Sequence, residues 1–227
     1  SGGRGLRCPG PGVNDDPAAF IAANTEIQST QLLPEIRLHL ASENMAIWQM
    51  NDEERSAAGV PLPYWAFAWA GGQALARYLL DHPETVAGRK LLDVGAGSGL
   101  EAIAGAMAGA TVIAADTDPF AVAATEMNAK LNNVSVHATP DDPVGQSGDW
   151  DLVMVGDLFF EQPLAKQMEA WLRGLLAAGV EVLIGDPKRT YLPREGLEKI
   201  TTYAVPTTSA LEDSDLRNAS VWRMVDL

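Results

Sequence analysis

Cysteine is all but missing: Cys8 is the only one in the 227 residues, which excludes an internal disulfide and points to a reducing compartment. Histidine is nearly as scarce. His39, His82 and His137 stand apart, with no cysteine beside them and no paired spacing, so there is no zinc-type ligand set and no metal is expected. The first twenty residues carry Arg4 and Arg7 but no apolar run, so neither a secretory signal nor a membrane anchor is expected. Basic residues are the third shortage: 16 Lys and Arg face 30 Asp and Glu, a net charge of −14. That charge repels a phosphate backbone and gains nothing from counterion release, so nucleic acid is not an expected partner. It fits a basic protein or a neutral small molecule equally well, or serves solubility alone. A soluble monomer of the bacterial cytoplasm is expected, with the mitochondrial matrix left open.

The chain has room for one well-buried catalytic domain with a short N-terminal addition, not for two enzyme-sized domains. Residues 1–16 are rich in Gly, Pro and Asn with little to bury and read as a mobile tail. Residues 17–60 read as an extension packed on the core, and 61–227 as the catalytic domain. Within the extension, Asp16-Pro17 opens a helix running through Ile27, with Asp16 as its cap. Ile36-Arg-Leu-His-Leu40 alternates like a strand, and Ala46–Met50 is its candidate partner. Pro61-Leu-Pro63 precedes a long helix, Tyr64 to about Leu80, which places Trp65 and Trp69 on one face.

After Gly88 short apolar runs alternate with helical patterns, the grammar of βαβ units around a parallel sheet. The runs begin at Lys90, Thr111, Ser135, Asp151 and Val180; helices are expected at 99–108, 119–131 and 163–177. Thr139 to Trp150 is too polar and too interrupted by Gly and Pro for a crossover helix. A further helix is expected near 193–200, before Thr201–Val205 and Ser220–Met224 close the sheet as an antiparallel pair.

Leu91-Leu-Asp93-Val-Gly95-Ala-Gly97-Ser-Gly99 ends a strand and opens a helix, a context in which glycines let backbone N–H groups approach a nucleotide-like ligand. The pattern also satisfies a dinucleotide fingerprint, with Asp116 and Asp118 at roughly the 20-residue distance. Three features favour S-adenosylmethionine. Asp93 opposes a pyrophosphate but suits an ammonium or a bound water. No tyrosine is followed four places later by lysine, so the proton-transfer pair of small dehydrogenases is missing. Asp116, ending the second run, can accept from both hydroxyls of a ribose. The same glycines also suit a plain strand-to-helix turn, and Asp116 or Asp118 a helix cap.

The fourth run ends in Val155-Gly-Asp157-Leu-Phe159-Phe160, which sets a carboxylate and two aromatics at the ligand-binding edge of the sheet. Asp157-Leu-Phe-Phe160 resembles the post-strand signature of seven-strand protein methyltransferases, an acid, two residues, then Phe or Tyr. More specifically, Leu62-Pro-Tyr-Trp-Ala66, Gly156-Asp-Leu-Phe159, Gly185-Asp-Pro-x-Arg189-x-Tyr-Leu-Pro193 and Val221-Trp-Arg223 resemble the electron transfer flavoprotein β-subunit lysine methyltransferases. Related ribosomal-protein methyltransferases usually carry Asn-Pro-Pro-Tyr at the Asp157 segment; its absence argues against amide, adenine or cytosine amino groups as acceptors.

The resemblance implies a doubly wound, Rossmann-like α/β fold and the methylation of lysine side chains on the flavoprotein β subunit. S-Adenosylmethionine would be the donor and S-adenosylhomocysteine the product. The implied cofactor set is Trp65, Asp93, Gly95, Ala96, Gly97, Asp116, Thr117 and Asp157. The implied catalytic set is Asp157, Phe159 and Phe160, and the acceptor channel Tyr64, Trp65 and Phe159. For each aromatic a place in the core is as well founded, and better founded for Phe160 than for Phe159. A methyltransferase for another protein or a small amine, a non-catalytic binding module and a nicotinamide dehydrogenase remain as other readings.

Overall fold

The computed structural model describes residues 16–41, 53, 62–207 and 216–227. The tail before Asp16, the strand expected over Ala46–Met50, and Pro61 lie outside the described residues.

Seven strands form one sheet in the order β5-β4-β3-β6-β7-β9-β8. β3 (Lys90–Val94), β4 (Thr111–Ala115), β5 (His137–Thr139), β6 (Leu152–Gly156) and β7 (Glu181–Asp186) run parallel. β9 (Leu216–Met224) pairs antiparallel with both β7 and β8 (Leu197–Pro206). Both faces of the sheet are covered, so the central strands carry apolar residues on both faces and not only at alternate positions. Leu91, Leu152, Met154 and Leu183 face one core with α2 (Ala70–Asp81) and α3 (Leu100–Met107). Their neighbours Leu92, Val153, Val155, Val182 and Ile184 face the opposite core with α5 (Gln162–Ala177). This is the two-residue period of a strand written into two clusters.

From β3 the chain winds outward through α3, β4, α4 (Pro119–Leu131) and β5, then returns to lay β6 beside β3 on its other flank. The order therefore reverses between β3 and β6, and beyond the carboxyl ends of two such strands an open α/β sheet leaves a crevice. The 139–150 connection carries no helix, as its composition implies.

Three expectations are corrected. The helix after Asp16 is α1 (Pro17–Asn24): the Asp16 side chain accepts from Ala19 N, but the helix ends at Asn24. There Thr25, extended, donates its Oγ1 to Ile21 O at 2.6 Å, and Ile27 belongs to β1 (Glu26–Gln28), paired with β2 (Leu38–Leu40). The helix expected from Tyr64 is split. Tyr64–Ala66 makes one 3₁₀ turn, Phe67 and Trp69 are extended, and α2 starts only at Ala70. Side-chain donors meet the exposed carbonyls of the break: Trp69 Nε1 donates to Tyr64 O and Gln73 Nε2 to Ala68 O. Finally, no helix forms near 193–200. Gly196 turns at φ +67° and Leu197 begins β8, because pairing with the long β9 outweighs local helix preference.

The 17–41 segment packs on α4. Phe20 meets Phe120 edge-on, Ile21 joins a cluster with Trp65 and Phe120, and His39 N donates to Asn128 Oδ1 at 2.7 Å.

Candidate active site

A cavity of about 380 Å³ opens at the β3/β6 reversal, within the size range of small-molecule sites. The glycine loop forms its floor. Gly95 and Gly97 take left-handed φ of +68° and +53°, which only glycine adopts freely. At Gly95 a Cβ would also strike Leu158 Cδ1 at 2.8 Å. Asp116, at the end of β4, ties the loop down: its Oδ2 accepts from Gly97 N and its Oδ1 from Asp118 N, both at 2.9 Å. A carboxylate has about four acceptor positions, so both oxygens keep capacity for two hydroxyls. Burial pushes the Asp116 carboxyl up, and these two N–H groups hold it back.

Opposite the loop, Asp157 sits just past β6 at φ +59°, an uncommon conformation for a residue with a Cβ and one that aspartate tolerates. Its carboxylate is held from two sides. Arg189 Nε and Nη2 donate to Oδ1 at 2.9 and 2.6 Å, and Gly72 N, in the first turn of α2, donates to Oδ2 at 2.9 Å. A helix N-terminus and a guanidinium both favour the anion. Burial outweighs them and pushes the carboxyl above its usual range. Helix and strands approach so closely because Gly71 and Gly72 lack side chains: a Cβ on Gly71 would stand 2.7 Å from Asp157 Oδ2, and one on Gly72 2.6 Å from Glu101 Oε1.

Aromatics complete the walls. Tyr64 lies 5.8 Å from Phe160 and 6.0 Å from Trp69 between ring centroids, and the Arg189 guanidinium lies 5.7 Å over the Trp69 ring. Trp65, fully buried, stacks on Phe120 at 13° and closes the wall beside the loop.

Of the residues expected from sequence, Tyr64, Trp65, Gly95, Gly97, Asp116, Thr117, Asp157 and Phe160 line this one cavity. Three do not. Phe159, expected in the catalytic set and the acceptor channel, is fully buried in the α5-side core, while Phe160 stands 39% exposed at the cavity. The order expected for the two rings is reversed, because the left-handed turn at Asp157 ends the strand's alternation. Ala96 faces the core beneath the loop. Asp93 is 1% exposed, also beneath the loop, with Oδ2 accepting from Ala102 N at 3.1 Å and Oδ1 without a partner among the described residues. Burial, with repulsion from Asp116, drives Asp93 up to about 7, and burial, with repulsion from Asp93 and Asp157, drives Glu101 well up.

Sequence reasoning assigned no role to Arg189, Trp69, Glu101 or Asp186. The Gly185-Asp-Pro-x-Arg189 segment carried the signal for two of them. Asp186, fully buried, accepts from Arg189 N at 2.6 Å, and burial raises it to about 6.

A family model described as ribosomal protein L11 methyltransferase matches residues 74–156, the stretch from α2 through β6. Among solved structures, magnesium protoporphyrin IX methyltransferase from Synechocystis PCC 6803, crystallised with S-adenosylmethionine, shares the fold at a TM-score of 0.53 and 16% identity, over 80% of this chain and 88% of that one. Sheet order, glycine loop and cavity thus define a Rossmann-like α/β fold with a ligand site at its reversal point. The electron transfer flavoprotein beta subunit lysine methyltransferase of Danio rerio is 42% identical over 93% of this chain and 84% of its own length. Its Homo sapiens counterpart is 36% identical over 95% and 86%. The chain belongs to the electron transfer flavoprotein beta subunit lysine methyltransferase family.

Proposed function

We propose that the protein methylates lysine side chains of an electron transfer flavoprotein β subunit, using S-adenosylmethionine at the β3/β6 cavity. One observation carries the reading: the two substrate-specific segments, Pro63–Ala66 and Gly156–Phe160, meet at the cavity beside the glycine loop, with Tyr64 5.8 Å from Phe160. The residues fit the cofactor. Asp116 is oriented by two N–H groups with lone pairs to spare, Gly97 leaves the floor bare, and Trp65 carries an indole N–H without a partner among the described residues.

When bound, S-adenosylmethionine supplies an electrophilic methyl on a sulfonium. In our reading Asp116 holds the ribose, Gly95, Gly97 and Thr117 follow the backbone of the ligand, and Asp157 orients the incoming amine. Tyr64, Phe160 and Trp69 make the apolar passage that aligns the amine and excludes water. Bringing a lysine from a pKa near 10.4 to the neutral form at pH 7 costs roughly 4–5 kcal/mol, and burial among aromatics lowers that cost. Asp93 and Ala96 support the loop from below. Residues 17–60 are read as an extension of the 61–227 catalytic domain, and 17–41 pack on α4.

The net charge of −14 and the carboxylates lining the cavity support a protein acceptor over nucleic acid. The lone Cys8 supports a reducing compartment; we place a monomeric enzyme in the bacterial cytoplasm, and cell fractionation separates this from a mitochondrial matrix. No helix among the described residues is long and apolar enough to cross a membrane.

The test is mass spectrometry of the flavoprotein β subunit after incubation with enzyme and cofactor, with methyl increments on lysine as the expected result. Label on another lysate fraction, with none on this subunit, would assign a different acceptor. Asp116→Ala is expected to weaken S-adenosylhomocysteine binding by at least about tenfold, the loss of charged hydrogen bonds. Asp157→Ala is expected to abolish methylation with binding nearly intact. Equal losses of both in Asp157→Ala would make it a cofactor ligand.

A further inference from the structure

Arg189 is the only cation among the described residues that line the cavity, against Asp116, Asp118, Asp141, Asp142 and Asp157. Glu101 and Asp186 add carboxyls close to Asp157 from α3 and β7. Such a site should attract a lysine in its ammonium form, which is the form that cannot accept a methyl group, since its nitrogen lone pair holds a proton. The geometry around Asp157 works against that outcome. Of about four acceptor positions on a carboxylate, two are met by Arg189 Nε and Nη2 and a third by Gly72 N, with the neighbouring Gly71 N–H also turned to the same carboxylate. At most one remains for the incoming side chain. An ammonium, with three N–H donors, would have at most one of them met by Asp157, beside apolar rings. It would also face a guanidinium already lying on Oδ1. The Trp69 face, otherwise an attractive surface for a cation, is covered by the same guanidinium at 5.7 Å. A neutral amine needs only one acceptor to orient it, and its lone pair then stays available.

We propose that Arg189 is a positioning residue that selects the neutral form of the acceptor lysine: by compensating Asp157 and covering a face of Trp69, it weakens the two ammonium sites closest to it. This rests on the lysine-methylation reading above. Asp186 takes part by fixing the Arg189 backbone through the 2.6 Å bond from Arg189 N. The guanidinium suits the task because it stays charged at any working pH and bonds one oxygen through two of its nitrogens. In the transfer itself the nitrogen–carbon bond forms as the sulfur–carbon bond breaks, and the resulting methylammonium loses its proton to solvent before the next round.

The experiment is the pH profile of methylation of the flavoprotein β subunit by the wild type, Arg189→Gln and Arg189→Lys, beside calorimetric titration with S-adenosylhomocysteine. In Arg189→Gln the acceptor's rate–pH midpoint is expected to rise by about one unit, the low end of what a neighbouring charge does. The rate at pH 7 should fall about tenfold and return at higher pH, with S-adenosylhomocysteine affinity within about twofold. Arg189→Lys should keep the wild-type midpoint at a lower rate. A second readout needs no turnover: affinity for the acceptor protein should rise with pH in the wild type and fall with pH in Arg189→Gln.

An unmoved midpoint in Arg189→Gln, with or without a lower rate, overturns the proposal, as does a shifted midpoint in Arg189→Lys should the glutamine variant fail to fold. A large loss of S-adenosylhomocysteine affinity at constant midpoint makes Arg189 a cofactor ligand instead. If the wild type itself does not methylate the flavoprotein subunit, the functional reading fails first, and the two failures stay distinct.

Discussion

Phe159 and Phe160 are consecutive aromatics in opposite surroundings. Phe159 is wholly enclosed among α5 and the central strands, and its carbonyl accepts from Tyr191 N at 3.1 Å. Phe160 lies partly open beside Tyr64 at the cavity. Replacing a buried Phe by Ala removes transfer free energy and leaves a void, so Phe159→Ala should cost about 3–5 kcal/mol. That amounts to a Tm loss of roughly 10 °C in a chain of this size. Phe160→Ala should leave Tm nearly unchanged and lower kcat/KM by about tenfold, the worth of one good ring–amine contact. Thermal melts and steady-state kinetics on both variants check this; equal Tm losses would mean that both rings are core. The Asp157-x-x-Phe160 signature ends on the ring that stands at the cavity. What the sequence could not supply was the left-handed φ at Asp157, since a backbone dihedral at a non-glycine residue leaves no mark in composition.

At the scale of elements, the parallel strands were legible because each buries two faces and so writes an uninterrupted apolar run. β3 and β4 fall on their expected limits, as does α4, whose Pro119 and Asp118 cap are local signals. Elements whose form depends on side-chain bonds to the backbone or on pairing with another strand were not legible: the break before α2, held by Trp69 and Gln73, and β8, recruited by β9. The junction of β3 with α3 carries a pH effect. Asp93 ends near about 7 in the fold against an ordinary 3.8, so the fold favours its protonated form. Stability from this group is therefore complete below pH 3.8 and is lost as pH rises towards 7. Asp93→Asn keeps an oxygen for Ala102 N and removes the charge. It should gain at least about 1 kcal/mol at pH 8, or ~2–4 °C in Tm, and nothing at about pH 4. Melts of both proteins across that range decide it; a gain independent of pH would assign the effect to packing and leave the buried charge without consequence.

Across the whole molecule, the segment before the sheet is joined to the glycine loop through one side chain. Asn128, fully buried in α4, accepts from His39 N at 2.7 Å and donates to Ser98 O at 2.8 Å, bridging β2 to the loop. One turn on, Asn132 accepts from Arg37 N at 2.9 Å and donates to Arg37 O at 2.6 Å, which ties the same segment to α4 without touching the loop. Asparagine is a poor helix former, and two of them four residues apart were the available sign that this face of α4 meets foreign backbone. The pair separates holding the segment from shaping the site. Asn128→Ala strands a buried N–H and a buried carbonyl and should cost about 1–3 kcal/mol. Because Ser98 belongs to the loop, S-adenosylhomocysteine affinity should fall by at least about fivefold. Asn132→Ala should lose a comparable or smaller amount of stability, since its bonds lie nearer solvent, with affinity unchanged within about twofold. Melts and calorimetric titrations of the two variants give the answer. Equal affinity losses would mean that the whole N-terminal segment, and not the Asn128 bridge, holds the loop in its ligand-binding shape.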